Sequence, residues 1–159
     1  MSISFETFDT NYLAHSWNWL HDPEIKRLTN TPNITLESQQ NWFAGLDARD
    51  DYAVWGVSLN GTPIGVVGLK HIDREARECE YFGYIGEKAC WGRGIGTSML
   101  DFIKQQAIII GLDKIVLKVS PQNIRAVRLY EKYGFINDHR ISRENDELFE
   151  RYHYFIRCS

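Results

Sequence analysis

Cysteine, proline and methionine are scarce in this chain, with three, four and two copies in 159 residues. Cys79, Cys90 and Cys158 are odd in number and no two of them make a C-x-x-C pair. That pattern indicates neither a disulfide framework nor a metal site, and it fits a reducing cytoplasm. Long apolar runs are missing too. Ala107-Ile108-Ile109-Ile110 falls far short of the roughly 18 residues a spanning helix needs. Met1-Ser2-Ile3-Ser4-Phe5-Glu6 has no basic start and no apolar stretch behind it, so no export signal is expected and the expected location is cytoplasmic. A basic excess is also lacking. The net charge is −3 and the pI about 5.9, which argues against binding nucleic acid through bulk charge. No internal repeat or low-complexity segment stands out.

What is present is an ordinary globular composition, 43% hydrophobic and 25% charged, in a length suited to one domain with a real core. The chain is organised around Trp91-Gly92-Arg93-Gly94-Ile95-Gly96-Thr97. Glycines so closely spaced let a loop adopt positive φ and turn successive N–H groups inward. A helix is expected to begin near Thr97, with Met99, Leu100, Ile103, Ala107 and Ile110 on one stripe. Its free N–H groups and positive dipole end would add to an anion site, and Arg93 would add a charge. This reads as a pyrophosphate cradle. It is not a P-loop, because no Gly-Lys-Ser/Thr follows, and it lacks the G-x-G-x-x-G spacing of a dinucleotide fold.

In chain order, residues 3–8 read as a strand. Asp9 or Thr10 caps a helix carrying Leu13, Trp17 and Leu20, and Pro23 opens a short turn at 24–28. Thr35 caps a further helix with Leu36, Gln40, Phe43 and Leu46 at turn spacing; Thr35-x-x-Ser38 fails as a capping box. Strands are expected at 52–59, 63–72 and 76–85, the first two joined by the hairpin signal Asn60-Gly61. Gly111 stops the long helix, and Lys114–Val119 is a buried strand. A helix follows over 123–133, stopped by Gly134. Residues 135–137 start a strand, 139–147 read as a charged connector, and 148–156 alternate as the last strand.

Two of these stretches carry a resemblance. The glycine loop is similar to the Q/R-x-x-G-x-G/A signature of the GCN5-related N-acetyltransferase (GNAT) superfamily, with Trp91 where Gln or Arg is usual. Asn123-Ile124-Arg125-Ala126-Val127-Arg128-Leu129-Tyr130-Glu131-Lys132-Tyr133-Gly134-Phe135 resembles its N-x-x-A-x-x-L-Y-E-K-x-G-F motif throughout. The resemblance implies an α+β fold in one acetyltransferase domain over 1–159. Its central sheet would be mixed, mostly antiparallel, splayed at the cofactor site and flanked by about four helices. It implies acetyl-CoA as co-substrate and no metal. The pyrophosphate would lie on Trp91, Gly92, Arg93, Gly94, Ile95, Gly96 and Thr97, and the pantetheine along Tyr84-Ile85-Gly86, with Asn123 beside it. Tyr130 would protonate the leaving thiolate, a task a positioned phenol can perform.

An attacking amine must also lose a proton. Glu80 shares strand parity with Gly86, on a strand where the superfamily often places a base, and is the first candidate. His71 and Asp73 are second choices. Trp17, Trp19, Trp42, Trp55, Tyr81 and Tyr84 could stack on an acceptor or fill the core. The branches resembled acetylate amino-sugar nucleotides or ribosomal-protein N-termini. The expected partner is therefore a small-molecule or peptide amine, polyamines included, with no nucleic acid or membrane, and the chain a monomer or homodimer. A non-catalytic acetyl-CoA-binding module is the alternative.

Overall fold

The computed structural model describes residues 1–144 and 146–156; Cys158 lies outside the described residues. The strands are β1 (Ile3–Thr7), β2 (Ala53–Leu59), β3 (Thr62–Asp73), β4 (Glu78–Ile85), β5 (Lys114–Val119), β6 (Ile136–Glu144) and β7 (Glu147–Phe155). They form one open sheet in the order β1-β2-β3-β4-β5-β7-β6. The helices are α1 (Thr10–Leu20), α2 (Pro23–Leu28), α3 (Leu36–Ala44), α4 (Ile95–Ile110) and α5 (Ile124–Tyr133), one more than expected.

Every strand pairing is antiparallel except β4 with β5. That parallel pairing covers only Glu78↔Lys114, Cys79↔Ile115 and Glu80↔Val116. Residues 81–85 of β4 and 117–119 of β5 continue without pairing to each other. The sheet thus opens into a V in its middle, where alternate backbone groups of β4 lack a strand partner.

Alternation along the strands loads both faces. On one face α4 packs Ile95, Met99, Leu100, Ile103 and Ala107 against Val57, Val67, Leu69 and Leu117. On the other, α1 to α3 cover Val66, Phe82 and Tyr84 with Tyr12, Trp19, Ile25 and Trp42. The split follows from period-2 strands such as Val66-Val67, whose neighbours point to opposite faces.

Some local expectations need correction. The buried residues of α1 are Tyr12, Ser16 and Trp19, one step round from Leu13, Trp17 and Leu20. Tyr12 wins because its ring lies over Gly56, where a Cβ would come within 2.2 Å of it, and its hydroxyl donates to Glu6 Oε1 at 2.6 Å. In α3 the buried residue is Gln39, which donates to Ser16 Oγ at 3.2 Å, whereas Leu36 is exposed. Thr35 and Ser38 do make a reciprocal capping box: Ser38 N–H donates to Thr35 Oγ1 and Thr35 N–H to Ser38 Oγ, both at 3.0 Å. A serine hydroxyl serves there as well as the usual Glu or Gln. Most of the stretch read as a charged connector belongs to β6, whose register against β7 shifts between Asn137 and Ile141 around His139 at φ 58°. Extra residues at that bulge erase the alternation a strand would show in sequence.

Candidate active site

The V between β4 and β5 is the seam of two cavities. One, of about 440 Å³, is lined by Trp91, Gly92, Gly94, Ile95, Gly96 and Thr97, by the start of α5 and by α2. The other, of about 800 Å³, lies under α1, α3 and the segment joining α2 to α3, with Glu80 and Phe82 on its floor. Both share Tyr81, Gly83, Tyr84, Asn123 and Tyr130 as walls.

The first cavity is a cradle built from backbone. Gly92 and Gly94 have φ of 75° and 80°, in the left-handed region that favours glycine. A Cβ on either would meet nothing within 4 Å, so their outer faces look into open space. Gly94 caps α4 without any side-chain hydrogen bond, which leaves the N–H groups of the first turn available to an anion. Gly96 does something different: a Cβ there would lie 2.6 Å from Leu129 Cδ2, so its smallness lets α5 approach α4. The turn ahead of the loop is tied to α2 by Lys88, whose Nζ lies 3.0 Å from Asp22 Oδ2 and 3.1 Å from Glu24 Oε1. The Lys88 hydrogen bond holds the Asp22 carboxyl below its ordinary value.

Trp91 takes a definite role. Its indole N–H donates to Ile85 O at 2.8 Å, closing the open end of β4. Its ring also carries the Arg125 guanidinium, 5.2 Å from the centroid, at the lip of the cavity. Arg125 was not anticipated from the sequence, because its partner lies in another element and no local pattern marks it. Arg93, the cation that was anticipated, is exposed and lines neither cavity. Gly86 also lines neither. Its N–H donates to Ile64 O at 2.7 Å, and a Cβ would lie 2.1 Å from the Trp19 ring. Its backbone donor is therefore engaged by β3. Tyr84, Ile85 and Asn123 do line the cradle, and Asn123 Oδ1 also accepts from Ala126 N–H at 3.4 Å to cap α5.

Tyr130 stands at the seam, edge-on to Tyr81 with ring centroids 6.2 Å apart. Burial pushes its phenol up to about 12, so it keeps its proton at neutral pH. Its hydroxyl has no protein hydrogen-bond partner among the described residues. Glu80 lies on the floor of the larger cavity, with Lys70 Nζ 3.4 Å from its Oε2. Lys70 and His71 are neighbours in β3, yet both line this cavity. The bulge between Lys70 and Asp73, with His71 at φ 52°, turns them the same way. Asp73 does not line it. Among the described residues, no three His, Cys, Asp or Glu side chains gather as a metal ion would require, and no helix is long and apolar enough to cross a membrane.

Comparison with known proteins fits this geometry. The model of the acetyltransferase (GNAT) family matches residues 13–135, which include the glycine loop and the whole of the second motif, Asn123 to Phe135. The chain belongs to the acetyltransferase (GNAT) family. A relative within it, the probable N-acetyltransferase YjcK of Bacillus subtilis, is 35% identical over 124 residues, covering 77% of this chain and 62% of that protein. Human alpha/beta-tubulin-N-acetyltransferase 9 is 29% identical over 131 residues, 74% of this chain and 63% of its own length. The chain thus spans under two thirds of the length of these relatives. Among solved structures, spermidine N-acetyltransferase from Vibrio cholerae, in complex with CoA and spermine, superposes with a TM-score of 0.87 at 19% identity. That superposition covers 96% of this chain and 95% of the other, and it shows that the GNAT fold is shared.

Proposed function

We propose that this chain moves an acetyl group from acetyl-CoA to a primary amine by direct attack. The observation that carries the reading is the seam: a proton-bearing Tyr130 is a common wall of a phosphate-fitting cradle and of a second cavity holding a carboxylate. The cradle fits a pyrophosphate because its N–H groups are free and the space over Gly92 and Gly94 is open. The amides of residues 92–97 would hold it, with Arg125 as counter-charge. Acetyl-CoA, when bound, supplies the thioester carbon. Glu80, directly or through water, accepts the proton the amine loses as its nitrogen bonds to that carbon. Tyr130 donates its proton to the sulfur as the C–S bond breaks.

For the acceptor we favour an amino-sugar nucleotide. The larger cavity sets Trp42, Tyr52 and Phe82 beside the uncharged Thr31, Asn33 and Ser38, a mixture suited to a ring that carries hydroxyls. The deciding experiment is an acetyl-CoA turnover screen over amino-sugar nucleotides, N-terminal peptides and polyamines, the amine of tubulin and spermidine included. Turnover confined to peptides or polyamines would refute the sugar. Cofactor affinity without turnover on any amine would leave a binding module. Glu80→Gln is expected to lower kcat/KM at pH 7 by roughly 100-fold, and a full-rate variant removes Glu80 as the base.

A further inference from the structure

Resting on the acetyl-transfer reading, the wall of the larger cavity says which amines can enter. It holds two carboxylates, Glu80 on β4 and Glu144 on β6, and both already have a lysine. Lys70 Nζ lies 3.4 Å from Glu80, and Lys118 Nζ lies 3.1 Å from Glu144 Oε1. The second oxygen of Glu144 accepts from Asn30 Nδ2 at 2.6 Å. Lys70 and Lys118 line the same cavity, so its two carboxylates and two ammoniums cancel, with His71 the remaining basic side chain beside the phenols of Tyr52, Tyr81, Tyr84 and Tyr130. Two of the cavity's aromatic faces are taken as well: Lys70 stands 5.9 Å above the Phe82 ring and Arg49 4.6 Å above Tyr52.

We propose that the acceptor carries one amine as its only cation, and that Lys118, with Lys70, excludes polyamines. A polyamine brings several ammoniums, each needing a carboxylate or an aromatic face. Here an ammonium seeking either carboxylate would have to displace a tethered lysine, which competes at an effective concentration on the order of millimolar or more. The displaced lysine would remain in the cavity as a like charge. Two such charges at close range repel, and more strongly in a partly enclosed cavity than in open water. A single amine has one positive charge to place, and it can lose that charge at the seam. Exposed ion pairs such as Lys118–Glu144 add little to folding, so the fold does not require the lysine. Selectivity of this kind comes from rejection rather than from added contacts.

Calorimetric titration of spermine into the wild type, Lys118→Gln and Lys118→Arg tests this without relying on turnover, with circular dichroism verifying the fold. The wild type and Lys118→Arg should show no saturable binding below about 1 mM, a limit set by the effective concentration of the tethered lysine. Lys118→Gln, which frees Glu144, should bind at least tenfold more tightly, about 1.4 kcal/mol. Tight binding to the wild type, or no gain in Lys118→Gln, overturns the proposal. Failure to acetylate any amine in the parallel turnover screen would sink the enzymatic reading and leave calorimetry to judge the selectivity.

Discussion

In the proposed reaction Tyr130 is the residue on which the chemistry turns. On α5 it shares a helix face with packing residues, and its ring contacts Tyr81 and Phe135 as a core tyrosine would. Its place at the seam sets it apart, as does a hydroxyl that has no hydrogen-bond partner among the described residues. Tyr130→Phe keeps the ring and removes only the proton donor. We expect kcat to fall by roughly 10- to 1000-fold while CoA affinity, measured by calorimetry, stays unchanged. Native kcat in this variant would make Tyr130 a packing residue. The loop glycines divide their tasks at the same scale: Gly92 and Gly94 provide backbone conformation and open space, while Gly96 and Gly86 make room for Leu129 and Trp19.

Among the elements, β4 and its continuation matter most. The strand loses its β5 partner after Glu80, and its far end is held by β3 along one edge and by the Trp91 indole at Ile85 O. Trp91→Phe keeps an aromatic face for Arg125 but removes the hydrogen bond to Ile85 O. A loss of about 1 kcal/mol in unfolding free energy is expected, read from the urea midpoint. CoA binding should weaken with it, because the loop that forms the cradle starts at this residue. An unchanged midpoint and affinity would show that the loop is held by Lys88 and its two carboxylates alone.

For the whole molecule, the number of buried phenols determines its behaviour in alkali. Burial pushes Tyr52 and Tyr130 up to about 12 and raises Tyr81 and Tyr84 as well, and it pushes the Cys79 thiol up to about 12. Each such group keeps its proton in the folded chain while the unfolded chain releases it. The unfolded state then binds fewer protons, so the slope of stability with pH is negative. The contribution is complete below the unfolded values, 9.0 for the thiol and 10.0 for the phenols. It declines as pH rises toward 12. Urea midpoints should therefore be flat on this account from about pH 7 to 8 and fall progressively above about 9. Tyr52→Phe should make that fall shallower; an identical slope would count against burial of the phenol as its cause.

The sequence by itself determined those features that are written locally. The glycine loop and the run from Asn123 to Phe135 are contiguous, so turn chemistry and helix period reveal them together with the family. The strand Lys114–Val119 and the cap Thr35 were legible for the same reason, while the choice between Asp9 and Thr10 as the cap of α1 falls to Asp9 in the structure. Tertiary structure decided which distant residues meet. It set Arg125 on Trp91, Lys70 on Glu80, and Glu144 in the cavity wall with Asn30 and Lys118. It also moved Gly86 beneath Trp19 and turned α1 to bury Tyr12. Periodicity states that an element has an apolar face, but the angle of that face is set by what it packs against. Contacts across the V depend on strand order, and a bulge such as that around His139 shifts register without leaving a periodic trace in the chain.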